Sequence, residues 1–154
     1  MDGAKTGFIV QFIERYCIVP KGNGAGQPMK LADFQKDAIE ALSAPGTRTG
    51  EFSLGPGNGK SSLMAAWGLA HLCLDEWSPQ VPLIGTTLKQ IEAATYSVAV
   101  RMSTMSPEIE SRTMRFHALG NKTLHCGWNS GVMFPTSADP DGTPGLRPES
   151  RARG

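Results

Sequence analysis

A glycine-rich segment at residues 55–61 (GPGNGKS) constrains the fold of this chain more than any other feature. Residues 52–54 before it predict a short β-strand. Residues 62–77 after it predict a helix with apolar side chains on nearly all sides, which is typical of a buried helix. Glycines allow the backbone conformations that point main-chain N–H groups at an anion, and a helix start adds its own free N–H groups. The segment therefore predicts a phosphate-binding loop between a strand and a helix.

The residue types in this loop suit a nucleotide triphosphate with its magnesium ion. Lys60 can reach the β- and γ-phosphates, where it would act as the catalytic cation, and the Ser61 hydroxyl can ligate Mg²⁺. The match to the G-x-x-x-x-G-K-[ST] pattern is imperfect, because Leu54 stands where the first glycine belongs. The alternative is an ordinary strand-to-helix turn that contains Gly-Lys-Ser by chance. We predict that ATP and Mg²⁺ are bound by Gly55, Gly57, Asn58, Gly59, Lys60, Ser61 and Ser62.

Two other segments imitate nucleotide-binding motifs. Residues 22–26 (GNGAG) are glycine-rich, but no Lys-Ser pair or helix start follows them, so they predict a surface loop. Asp75 and Glu76 follow an apolar run, as the acidic end of a catalytic strand would. They come only fifteen residues after Lys60, however, so we interpret them as the solvated last turn of the helix that the loop opens. Neither segment is expected to supply catalysis.

The rest of the chain predicts alternating helices and strands. Apolar residues recur at helical spacing over residues 5–17 and 31–42. Residues 81–85 predict a short buried strand, followed by an N-cap at Thr86 or Thr87 and a helix over residues 88–102. Ser106 and Pro107 begin a short helical turn, and residues 123–128 and 132–134 predict a β-hairpin. This order indicates an α/β protein.

Composition limits the class of protein without choosing a partner. Hydrophobic residues make up 40% and charged residues 19%, which is typical of a globular chain, and the net charge of +1 neither requires nor excludes nucleic acid. Cys17, Cys73 and Cys126 are too widely spaced to suggest a zinc site and predict buried thiols in a reducing compartment. No apolar run approaches the ~20 residues that span a membrane, and no secretory signal is present. We expect an intracellular protein.

Four segments, in this order, resemble the tailed-phage terminase large subunit. Residues 16–28 look like the lead-in of that family. Residues 31–35 (LADFQ) are similar to its adenine-recognition element, residues 53–61 to its deviant Walker A loop, and residues 83–90 to the strand and helix start that follow. The resemblance implies that Gln35 hydrogen-bonds the adenine edge, that Phe34 packs nearby, and that Gln90 helps to place the next loop. Without the family, Gln35 reads as an exposed helical residue.

The resemblance also implies an architecture and partners. The fold would be a P-loop NTPase of the ASCE type, with an incomplete parallel-sheet core, N-terminal helices and a β-hairpin near the C-terminus. Residues 1–50 would form a helical lead-in, residues 51–137 a partial ATPase core, and residues 138–154 an irregular tail, without the nuclease domain. The parent's expected partners are double-stranded DNA, the portal protein, the terminase small subunit and further copies of itself, in the cytoplasm of the bacterial host.

The departures from the family limit the expected activity. Pro56 stands where family members often carry an arginine, and the chain ends where a strand closing on Asp-Glu is expected. Asp139 and Asp141 read as turn residues and not as the acidic end of a strand. No glutamate is plausibly placed to orient the attacking water, so we expect weak ATP hydrolysis at most. Two alternatives remain open: a helicase-like or other DNA-translocating P-loop ATPase, and a non-catalytic prophage remnant.

Overall fold

The computed structural model describes residues 2–51, 59–118 and 121–138. Side chains are described for residues 7–51, 59–117 and 122–138. The predicted strand at residues 52–54 and almost all of the predicted tail lie outside these ranges. The statements below concern the described residues.

Two N-terminal helices follow the predicted apolar periodicity. Helix α1 spans Asp2–Tyr16, and helix α2 spans Asp33–Leu42. Ile9, Phe12 and Ile13 recur at helical spacing on α1 and are all buried, because this face packs against the rest of the core. Residues 21–28 of the loop between the helices are exposed, as predicted for residues 22–26.

Helix α3 spans Lys60–Leu74 and ends three residues before the predicted boundary. Asp75 has an extended backbone, and Trp77 and Ser78 have positive φ values of 58° and 52°, so the helix cannot continue through them. The prediction of a helix buried on nearly all sides was also partly wrong. Leu63, Leu69 and Leu72 are buried, whereas Met64 is 41% exposed because one face of α3 is left uncovered by the described elements.

Strand β1 (Gln80–Gly85) is followed by a helical run in place of the single helix predicted for residues 88–102. The run comprises α4 (Leu88–Ile91), a π-helical turn (Glu92–Tyr96) and α5 (Ser97–Met105). Its start is capped as predicted, because the Thr87 hydroxyl accepts a hydrogen bond from the Gln90 N–H at 3.1 Å. The short helix α6 (Pro107–Glu110) then begins at the predicted proline.

The sheet has four described strands in the order β1-β4-β3-β2. Strands β2 (Thr113–Ala118), β3 (Asn121–Cys126) and β4 (Gly131–Ser137) form an antiparallel meander, and β4 pairs in parallel with β1. The predicted hairpin is present as β3 and β4. Strand β3 begins and ends two residues earlier than predicted, β4 is longer than predicted, and β2 was not predicted. The α/β class is therefore confirmed in a coarser form. The described sheet is mostly antiparallel, so the incomplete parallel-sheet core of the ASCE type stays a prediction.

Strand β1 is less buried than predicted. Only Leu83 among its residues is buried, and Ile84 is exposed, because β1 is the edge strand of the described sheet. An edge strand tolerates Pro82, which has no N–H to donate to a second neighbour.

Helix α3 packs on β1 and β4, and the missing side chain at Gly68 lets the helix approach the strands closely. A Cβ atom on Gly68 would lie 2.8 Å from the Cε atom of Met133 on β4, and 3.8 Å from the Cδ2 atom of Leu83 on β1. The helix therefore packs on the sheet at the one position without a side chain, and the core forms around this contact.

Candidate nucleotide-binding site

The direction of α3 places its amino end beside the carboxyl ends of the two parallel strands, β1 and β4. At the other end of the helix, the Asn129 amide, in the turn that opens β4, donates to the carbonyls of Leu72 and Asp75 at 2.8 and 2.7 Å. The carboxyl end of α3 is thus tied to the amino end of β4, and the helix runs antiparallel to β4 and β1. Lys60 is the first residue of α3 and lies about 12 Å along the helix from Gly68. This length carries Lys60 past the carboxyl end of β1. Ligands of open α/β sheets bind at this edge.

The first turn of α3 has the conformation that an anion site needs. Gly59 precedes the helix in the left-handed conformation, with φ 71°, and its carbonyl accepts the Leu63 N–H at 2.9 Å. Among the described residues, no side chain caps the helix start. The N–H groups of Lys60, Ser61 and Ser62 have no acceptor within the helix, because they lie in its first turn. Lys60 is exposed and both serines are half-buried, so the ammonium, hydroxyl and N–H groups share one helix end.

The structure brings together only part of the predicted loop. Gly59, Lys60, Ser61 and Ser62 lie consecutively at the start of α3. Gly55, Gly57 and Asn58 lie outside the described residues, as do Leu54 and Pro56, so their predicted roles stay predictions.

The predicted adenine-recognition residues lie on a different helix. Gln35 is 8% exposed, not the exposed residue expected without the family, and its Oε1 atom accepts the Ala32 N–H at 2.8 Å. The Gln35 side chain thus caps the backbone N–H of Ala32 at the start of α2, while the Gln35 N–H donates to the Ala32 carbonyl at 3.0 Å. Phe34 is 49% exposed. Helix α2 packs mainly on α1, which in turn packs on α3.

Buried polar residues at the carboxyl end of β4 were missed by sequence reasoning. Thr136 and Ser137 are both buried, and the next residue, Ala138, donates its N–H to the Gly85 carbonyl at 2.8 Å. They therefore lie at the same edge of the sheet as the start of α3. The available signal was a pair of small polar residues that follow the predicted strand at 132–134 after one proline.

The two imitating segments differ from the site as expected. Gly22, Gly24 and Gly26 have positive φ values and form an exposed loop. Asp75 caps the far end of α3, where its carboxylate lies 2.8 Å from the His71 Nδ1 atom, and Glu76 is exposed beside it. Asp75 is half-buried and not fully solvated as predicted. Both acids lie at the opposite end of α3 from Lys60, so neither is placed to act there.

The three predicted buried thiols are confirmed, with one unpredicted contact. Cys17, Cys73 and Cys126 are all buried free cysteines. Burial raises the pKa of the Cys17 thiol to about 12. The Cys73 and Cys126 thiols interact, and hydrogen bonding between them raises the pKa of Cys73 and lowers that of Cys126. Within the described ranges, no group of three or more His, Cys, Asp or Glu side chains could hold a metal ion.

Comparison with known proteins identifies the family. The large terminase subunit of Enterobacteria phage HK97 is 38% identical over 105 residues, which cover 66% of this chain. This chain is a homologue of the phage terminase large subunit. It spans 21% of the length of that relative. No protein-family model matches the chain.

The fold agrees with this relationship. The crystal structure of the HK97 large terminase superposes with a TM-score of 0.74 at 30% identity, covering 87% of this chain and 27% of that one. The terminase resemblance carried by the four sequence segments is therefore confirmed. None of the described helices of this terminase homologue is both long enough and apolar enough to cross a membrane.

Proposed function

We propose that this chain is the nucleotide-binding part of a phage DNA-packaging ATPase and binds ATP with Mg²⁺ at the start of α3. The observation that carries the proposal is the position of Gly59, Lys60 and Ser61. These residues open a helix at the carboxyl edge of a sheet in a homologue of the terminase large subunit. The fold alone would not justify an activity, because one fold can support many functions.

The described residues fit a magnesium-bound triphosphate. The exposed Lys60 ammonium carries the positive charge, and three uncapped N–H groups point out of the helix start, where the helix dipole also favours an anion. The Ser61 hydroxyl oxygen is a ligand of the hard type that Mg²⁺ prefers. When bound, the metal would neutralise charge on the β- and γ-phosphates. Lys60 and the N–H groups would orient the γ-phosphate beside it.

Recognition of the base would fall to α2. The Gln35 side chain has an acceptor oxygen with two lone pairs and two amide N–H donors. One lone pair accepts from Ala32, so the donors and the second lone pair can still serve the two polar atoms of an adenine edge. The exposed ring of Phe34 would lie against the base. The hydrogen bond from Ala32 would hold the Gln35 side-chain oxygen in a fixed direction before the nucleotide arrives.

Slow hydrolysis is part of this proposal. Transfer of the γ-phosphate to water needs a group that orients the water. Asp75 and Glu76 lie at the far end of α3, so the described residues supply triphosphate binding without that group. The parent enzyme would act on double-stranded DNA with the portal protein, the small subunit and further copies of itself, in the cytoplasm of the bacterial host.

Binding of a non-hydrolysable ATP analogue tests the proposal. Calorimetric titration of the 154-residue chain should show binding that requires Mg²⁺. Lys60→Ala should weaken binding by about tenfold or more, because charge-assisted contacts contribute about 1.5–3 kcal/mol. Lys21→Ala is the matched control, since this exposed lysine lies in the loop after α1. Equal affinity for the parent chain and Lys60→Ala would exclude this site, and no affinity in a folded parent would support the remnant alternative.

The coding DNA that follows codon 154 would distinguish the helicase-like alternative from the packaging enzyme. Helicase motifs there would favour that alternative, whereas clustered acidic residues of a metal-dependent nuclease would favour the packaging enzyme.

A further inference from the structure

A second concave site lies between the helical run after β1 and the antiparallel strands. Its cavity has a volume of about 370 Å³ and receives side chains from the π-helical turn, α5, β2 and β3. The charged and aromatic side chains that line it are Glu92, Tyr96, Arg101, Arg115, His117 and Lys122. None of them belongs to α3 or to the predicted nucleotide loop.

The charge balance of this cavity is positive. Glu92 is already paired with Lys122, whose Nζ atom lies 3.3 Å from the Glu92 carboxylate. Arg101 and Arg115 form no ion pair within the described ranges, and both side chains are exposed. Two guanidinium groups on different elements thus line one cavity with their charges uncompensated there.

Tyr96 gives an independent sign that a ligand is missing from this cavity. Its side chain lines the cavity and is 3% exposed, yet its hydroxyl has no hydrogen-bond partner in the described part of the chain. Buried hydroxyl groups are nearly always paired, because an unpaired one costs free energy. Burial is the main cause that raises the pKa of Tyr96 to about 12, and the charge of Arg115 opposes that rise. The hydroxyl therefore stays protonated, so it can donate to an acceptor in the cavity.

We propose that this cavity binds a phosphate group. A phosphate monoester carries about −1.5 to −2 charges at pH 7 and three acceptor oxygens, which matches two free guanidinium groups and a free hydroxyl donor. Planar guanidinium forks bind phosphate oxygens in pairs. The volume falls within the ~300–1,000 Å³ range of small-molecule sites. This site is separate from the nucleotide site and does not depend on it.

The phosphate could be carried by a small ligand or by the backbone of a nucleic acid, and both present the same oxygens to the arginines. Nuclear magnetic resonance on the ¹⁵N-labelled chain separates these sources. Inorganic phosphate is titrated in one arm and a short DNA duplex in the other. Shifts of cavity resonances that appear in the phosphate arm and not in the duplex arm indicate a small ligand. Displacement of phosphate by the duplex indicates the backbone.

Substitutions then test the assignment. Phosphate should shift the resonances of Tyr96, Arg101 and Arg115, and Arg115→Gln should weaken binding by about tenfold. Tyr96→Phe should weaken it too. Arg112→Gln is the control. The substitution removes the same charge, but from an exposed arginine that does not line the cavity. No cavity shifts in either arm, or unchanged affinity in a folded Arg115→Gln chain, would overturn the proposal.

Lys60→Ala separates this inference from the proposed function. Loss of ATP binding with an unchanged cavity titration is expected if both sites are correct. Phosphate shifts confined to residues 59–63 would overturn the cavity site and leave the nucleotide site standing.

Discussion

Gly59 connects backbone conformation with candidate chemistry at a single residue. Its φ of 71° turns the chain into α3 and brings Lys60 to the first helical position. For a residue with a Cβ atom, this left-handed conformation costs roughly 1–2 kcal/mol. A Cβ atom at Gly59 would meet nothing within 4 Å, so the requirement for glycine comes from the backbone and not from crowding.

Gly59→Ala should therefore lower the free energy of unfolding by about 1–2 kcal/mol. Gly7→Ala is the matched control, since a Cβ atom there also meets nothing within 4 Å but the residue lies inside α1 without a positive φ. That change should raise the free energy of unfolding by up to about 1 kcal/mol, because alanine favours helix. Urea denaturation measures both. Changes of the same sign would contradict this explanation.

Gln35 shows how far a single residue could be interpreted from sequence. The terminase resemblance singled it out as an adenine ligand, and that role stays a prediction. Its burial and its bond to Ala32 could not be foreseen, because they depend on how α2 packs. The cap involves only the four residues 32–35, but the same four residues would also suit an exposed helix start.

At the scale of elements, the β3–β4 turn fixes α3 against the sheet. Asn129 is buried and makes three hydrogen bonds: its amide donates to the carbonyls of Leu72 and Asp75, and its Oδ1 atom accepts the Gly131 N–H at 2.8 Å. The Trp128 indole adds a bond to the Cys73 carbonyl at 2.8 Å. The carbonyls at the end of α3 are thus satisfied by a turn more than fifty residues away in sequence.

Asn129→Ala should lower the free energy of unfolding by about 3 kcal/mol, because backbone groups that it pairs would be left without partners in a buried site. Thermal and urea unfolding provide the measurement. Ser130→Ala, one residue along the same turn, changes an exposed side chain and should alter stability by less than about 0.5 kcal/mol. A loss below about 1 kcal/mol in Asn129→Ala would show that water replaces these bonds.

At the scale of the whole molecule, one apolar core joins the helices to the sheet. It includes Ile13 and Cys17 from the N-terminal part, Leu69 of α3, and Met133 of β4. Cys17 lies fully inside this core, so ionisation of its thiol is coupled to unfolding. Burial raises the pKa of Cys17 from 9.0 to about 12.

Stability should therefore fall at alkaline pH. Below pH 9 the Cys17 thiol is protonated in both states, so it adds no pH dependence. Between pH 9 and 12 the unfolded thiol loses its proton first, which favours unfolding by up to about 1.4 kcal/mol per pH unit. Comparing urea unfolding of the parent chain and Cys17→Ala at pH 8 and 10 measures this term. Cys17→Ala should show the smaller loss, and parallel pH profiles would contradict it.

Local patterns in the chain were enough for most helices and their ends. Apolar spacing predicted α1 and α2, and Thr87 and Pro107 marked helix starts. The nucleotide site at residues 55–61 stays a prediction. The order of four short segments predicted the terminase family, which the comparison confirmed. These features depend on residues that are near one another in sequence, so each segment carries its own information.

Long-range packing decided the rest. Strand β4 pairs in parallel with β1 and in antiparallel fashion with β3, and apolar alternation carries no information about which neighbour a strand takes. The bonds of Asn129 and the cavity around Tyr96 likewise join elements that are distant in sequence. Such contacts form only when the chain folds back on itself, and their energies depend on burial that no local pattern records.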